Sequence, residues 1–141
     1  DIGAGGAGGD IGVGGAGGAG GEGGAGGEGG EDPGLTSWAL DVQPILEHYC
    51  APCHTTNTTP SRGFRVTDWE TVQLPAVHAS CAGMTKGECA LVRIKSGQMP
   101  RVSDPALACT GDPELDVDKA YCLAQDEQDV IQAWIDGGRQ P

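Results

Sequence analysis

The chain has 141 residues, a net charge of -12 and 26 glycines, 18 of them within the first 30 positions. A stretch so poor in side chains cannot bury a core, which leaves one small domain of roughly a hundred residues, from about Leu35 to Pro141. Both parts are acidic, with six acids and no base over residues 1–32 and 14 acids against 8 bases beyond them, so nucleic acid and anionic membrane surfaces are excluded as partners, and no apolar run approaches the length of a membrane span.

Residues 1–30 parse into triplets that each end in glycine: DIG AGG AGG DIG VGG AGG AGG EGG AGG EGG. The middle position is also glycine except at Ile2 and Ile11, so Ala4, Ala7, Asp10 and Val13 share one edge of a three-residue period. That is the period of a left-handed extended helix, here without the proline that stiffens collagen. Two readings stand for the tail, taken as residues 1–34. It is a flexible spacer, or it pairs laterally with copies of itself over residues 1–32, because its bare edges carry N–H and C=O groups that need partners.

The spacing then predicts a first helix. Asp41 is a suitable N-cap, Val42, Ile45, Leu46 and Tyr49 recur on one face, and Pro44 is tolerated in the first turn. This helix runs into Cys50-Ala51-Pro52-Cys53-His54, a CxxCH run. Two thiols at this spacing can add to the two vinyl groups of a haem, and the next residue, His54, is placed to ligate the iron. A thioredoxin-type pair would need a βαβ context, which is not visible, and zinc would need a second pair of ligands.

Thr67-Asp68-Trp69-Glu70 reads as a capping box opening a short helix. Lys86 to Lys95 reads as a third helix, with Leu91, Val92 and Ile94 apolar and a stop near Gly97. A last helix carries Val130, Ile131, Trp134 and Ile135, with Asp126 and Glu127 in its first turn and Gly137 at its end. No stretch alternates with period two, so the expected class is all-α. Cys81, Cys89, Cys109 and Cys122 form an even set in a small domain, which reads as two disulfides. Of the three possible pairings the local one is expected, Cys81 with Cys89 and Cys109 with Cys122. Disulfides imply an oxidising compartment, periplasmic or extracellular. A start without Met or a secretory leader fits an already processed export product.

Three stretches together resemble a monohaem class I cytochrome c domain of exported bacterial proteins: VQPILEHYCAPCH at 42–54, SGQMP at 96–100 and DVIQAWIDGG at 129–138. The resemblance covers about residues 38–141; the glycine tail and the four further cysteines depart from its simplest members. It implies a small all-α domain, residues 35–141, around one covalent haem c, held by Cys50, Cys53, His54 and Met99. His54 and Met99 would be the iron ligands. A thioether ligand favours reduced iron and raises the potential.

Competing distal ligands are Met84, His78 and His48, the last read as a surface or haem-edge residue. Arg62, Arg65 and Arg101 are candidates to neutralise haem propionates. Trp69 and Trp134 fit the haem pocket and the ordinary core equally well. Asp112, Glu114, Asp116 and Asp118 alternate along a loop, but the EF-hand spacing is absent. Asn57-Thr58-Thr59 matches a glycosylation sequon. The expected function is one-electron transfer to redox protein partners, an electron carrier and not an enzyme, with a filament of such domains if the tail self-associates. The alternatives are a peroxidase or gas-binding haem with an open iron site, or a fibre subunit stapled by haem.

Overall fold

The computed structural model describes residues 35–55 and 63–141. The glycine-rich tail, Arg62 and the Asn57 sequon lie outside the described residues. Among these residues the fold is helical, with isolated bridges in place of strands. A π-type turn, Trp38–Val42, runs straight into α1, Gln43–His54; then follow α2, Trp69–Gln73, α3, Lys86–Lys95, and α4, Gln125–Asp136. Single 3₁₀ turns at Ala79–Cys81 and Pro105–Leu107 shape the connections.

The helical run starts earlier than the sequence suggested. Ser37, not Asp41, is the N-cap: its hydroxyl accepts from the Leu40 amide at 3.2 Å. The Asp41 carboxylate reaches back instead and accepts from the Ser37 amide at 2.7 Å. The two side chains thus satisfy the orphan amides of Leu40 and Ser37, and the extra turn carries Trp38 into the core. At α2 the shift is the other way, the cap being Asp68, one residue later than the expected Thr67. Asp68 accepts from the Glu70 amide at 3.0 Å, the geometry of an N-cap. α3 has the expected bounds, opened by a true capping box between Thr85 and Glu88.

The core gathers Val42 and Leu46 from the first helical run, Val72, Leu91 and Ile94 from α2 and α3, and Ile131 and Trp134 from α4. Trp38, Trp69 and Trp134 form its centre, with ring centroids 5.6–6.1 Å apart. Trp134 therefore belongs to the core, with Trp69 packed against it. The chain ends close on this cluster. The Gln140 carbonyl accepts from both the Trp38 amide, at 2.9 Å, and the Trp134 indole, at 2.8 Å. Both disulfides have the expected local pairing, with Cα separations of 5.4 Å for Cys81–Cys89 and 5.8 Å for Cys109–Cys122. They fit an oxidising compartment. No helix among the described residues is long and apolar enough to cross a membrane.

Tyr49 latches α1 to α4. Its hydroxyl meets both oxygens of Glu127, at 2.8 and 2.9 Å. Burial, then the Glu127 hydrogen bond and charge, push the phenol from 10.0 up to about 12. The folded state therefore holds the proton longer than the unfolded chain does. Below pH 10 this contribution to stability is complete, and it is lost as pH rises from 10.0 to about 12. Tyr49→Phe is expected to flatten that part of the stability–pH curve relative to the parent, as read by denaturant midpoints; parallel curves would contradict it.

Candidate functional site

The last two turns of α1 carry Cys50, Cys53 and His54. Three residues per step and then one place all of them within about a turn of helix. Cys50 is half-buried and Cys53 exposed, and both are free thiols while the other four cysteines are paired. Burial, with the neighbouring Cys53 adding to it, pushes the Cys50 thiol up to about 12. A thioredoxin-type nucleophile needs the opposite shift. Nor do Cys50, Cys53 and His54 converge on one point as zinc ligands do. The grouping that does converge among the described residues is Cys109, Asp116 and Cys122, whose sulfurs are already joined in a disulfide.

His54 is half-buried at the end of α1, and its Nδ1 lies 3.3 Å from the Phe64 carbonyl oxygen. A carbonyl only accepts, so the hydrogen sits on Nδ1 and leaves the Nε2 lone pair for a metal. The Phe64 ring packs edge-on against the imidazole, and the Val66 amide donates to the His54 carbonyl at 2.9 Å. Burial lowers the His54 pKa; the Phe64 hydrogen bond opposes this, and the Arg93 guanidinium adds to it. The net effect favours the neutral, ligating imidazole.

Met99 is half-buried in the loop after α3. Its amide and that of Gln98 both donate to the Arg93 carbonyl, at 3.2 and 2.9 Å, so the end of α3 sets the course of this loop. Two clefts flank it. One, of about 420 Å³, lies between Arg93 and Gly97 on one side and Arg101, Pro105 and Ala108 on the other. The second, of about 360 Å³, is bounded by Tyr49, Pro52, Pro100, Val102 and Tyr121. Pro52, inside the CxxCH run, and Pro100, next to Met99, thus line one cleft. Pro100 and Val102 are common to both clefts. The neighbours of the CxxCH run and of Met99 thus meet at the second cleft through Pro52 and Pro100, whereas Cys50, Cys53, His54 and Met99 themselves line neither cleft.

The competing ligands are placed otherwise. The His78 Nδ1 lies 2.6 Å from Ser80 Oγ and accepts from the Ser80 amide, so this ring caps its own turn. Met84 is exposed in the loop closed by Cys81–Cys89. His48 is exposed, edge-on to Tyr49, at the rim of the second cleft. Arg101 lines the first cleft, while Arg65 is paired with Asp68. Asp116 turns inward and the exposed Glu114 and Asp118 do not, so the four acids of this loop do not converge.

Arg93 was not singled out in the sequence. It lies in the last turn of α3, lines the first cleft with Arg101, and its Nε is buried with no partner among the described residues. The Arg65 Nε is in the same condition. Arg65 lines neither cleft and is ion-paired with Asp68, so Arg93 is the orphaned guanidinium donor at a cleft, a feature that suits an anionic group. A basic residue between Val92 and Ile94, six positions before Met99, was the available signal. The chain matches no family model, no curated protein and no solved structure.

Proposed function

We propose that residues 35–141 form a c-type cytochrome domain of an exported protein, working as a one-electron carrier in the periplasm or outside the cell. Cys50 and Cys53 would hold the haem by thioether bonds, His54 would be the proximal ligand and Met99 the distal one. Arg93 and Arg101 would face the propionates. A haem held there would supply the ferric–ferrous couple. The protein's part is to hold the imidazole in one tautomer and orientation through Phe64. The single observation that carries the reading is that CxxCH closes α1 with His54 Nδ1 engaged by a carbonyl and Nε2 left over. The acidic surface suits transient docking to redox partners with a basic patch.

Absorption spectra of the oxidised and reduced protein test this directly. A thioether-type pyridine haemochrome and a weak near-infrared sulfur-to-iron band are expected. Carbon monoxide should bind the reduced protein slowly; rapid binding without denaturant would instead identify an open iron site. The tail is proposed to bring such domains together into a filament. Deleting residues 1–32 should then reduce particle size in solution, and unchanged assemblies would leave the tail as a spacer.

A further inference from the structure

Asp116 is a buried carboxylate that the proposed electron carrier does not use, at 5 % exposure. It accepts from the Thr110 amide at 3.1 and 2.8 Å, from the Gly111 amide at 3.1 Å and from Lys119 Nζ at 3.0 Å. Lys119 in turn donates to the Ala108 carbonyl at 2.6 Å. One ion pair, with its carboxylate buried and its ammonium half-buried, therefore collects the backbone from 108 to 111. The Cys109–Cys122 disulfide ties the same short segment to the chain just before α4.

That segment is pressed against the backbone leading to Met99. A Cβ at Gly97 would come 2.5 Å from the Cys109 carbonyl oxygen and 2.8 Å from that of Thr110. A Cβ at Gly111 would fall inside contact distance of the Lys95 carbonyl. Both glycines have positive φ, 69° and 84°, so neither position accommodates a side chain. Two backbones thus lie face to face with no methyl between them. Two residues beyond Gly97 comes Met99, held from the other direction by the Arg93 carbonyl.

We infer that Asp116 is a positioning residue for Met99: with Lys119 and the Cys109–Cys122 disulfide it makes residues 108–111 a backstop that fixes the course of the methionine loop. The inference rests on the reading of Met99 as the distal ligand. Burial alone would raise the Asp116 pKa, but the hydrogen bonds from Lys119, Thr110 and Gly111 outweigh it and lower the pKa. The carboxylate is thus charged throughout the neutral range, as a backstop built on an ion pair requires. The cleft itself shares this wall, since Ala108 lines it beside Gly97.

The test compares Asp116→Asn with Ile131→Val, a core substitution on α4 that makes none of the hydrogen bonds of the 108–119 network, in the full haem-loaded chain. Two readouts are taken: hydrogen exchange at the Gln98 and Met99 amides, and carbon monoxide binding together with the near-infrared sulfur band. In Asp116→Asn the two amides should exchange about tenfold faster or more, the scale of losing one charge-assisted hydrogen bond. Carbon monoxide should bind faster by a similar factor and the band should weaken. Ile131→Val should leave the ligand readouts at parental values. Where Asp116→Asn does not fold, Lys119→Met replaces it, with the same expectations. Parental exchange at Gln98 and Met99 in the Asp116 or Lys119 variant overturns the backstop. A parent protein that lacks the sulfur band overturns Met99 ligation instead, so the two failures are told apart.

Discussion

Trp134→Ala is expected to lower the unfolding free energy by about 3–5 kcal/mol. That is a large part of the total stability of a domain this size, which is on the order of 5–15 kcal/mol. Trp134 is wholly buried and stands between Trp38 and Trp69, with centroids 5.6 and 6.1 Å away. Truncation would leave a void bounded by two rigid rings, by α3 and by the end of the chain, none of which can collapse into it without moving a helix. It also takes one of two donors from the Gln140 carbonyl, leaving the Trp38 amide as that carbonyl's remaining donor. Trp134→Phe separates these effects, since it keeps much of the ring and loses only the indole donor; it should cost substantially less than the alanine variant. The measurement is the denaturant midpoint of the protein at unchanged m-value. A loss below about 1 kcal/mol for Trp134→Ala would mean that the tryptophan cluster is not the centre of the fold.

The parts of this fold that could be read from the sequence are those fixed by near neighbours. α3 shows its apolar face and its stop within about a dozen residues, and its observed bounds are those expected. The disulfides span only 8 and 13 positions, so local closure was the cheapest pairing. The start of the first helical run was misread because Asp41 looks like a cap when taken alone. Only the packing of Trp38 shows that the helix needs one more turn, with Ser37 capping it. The site divides in the same way. CxxCH is legible because its chemistry resides in five consecutive residues. Arg93 and Asp116 are not legible, because nothing in the residue pattern marks which base lines a cleft or which of several acids turns inward. Arg93 sits in an ordinary amphipathic pattern and is given meaning by the cleft beside Gly97. Asp116 is one of four alternating acids, and its inward turn is decided by the amides of Thr110 and Gly111 returning above it.

Replacing both Cys50 and Cys53 by serine is expected to abolish covalent haem altogether, and the two single variants should not be equivalent. Serine keeps the size and the helix but cannot form a thioether. The parent chain should therefore carry the mass of one haem beyond its polypeptide after denaturation, and the double variant none. Cys50 is half-buried against the core beside Tyr49 and Ala51, whereas Cys53 is exposed. Cys53→Ser thus perturbs only the attachment. Cys50→Ser in addition places a hydroxyl where burial already holds the native thiol proton up to about 12. Its yield of folded protein should be the lower of the two, since burying a hydroxyl without a partner costs about 1–3 kcal/mol. A single attached thioether should survive in Cys53→Ser, with His54 still presented by Phe64 and the ligand spectrum close to that of the parent. The physical reason for a large effect is general. A domain of about a hundred residues with a thin core gains stability from a covalently held group packed against it. Loss of the haem should accordingly lower the denaturant midpoint as well as remove the colour. Intact mass and unfolding curves on the same samples check both consequences. A parent chain with no added mass, or a double serine variant that keeps its haem through denaturation, would refute covalent attachment at this motif.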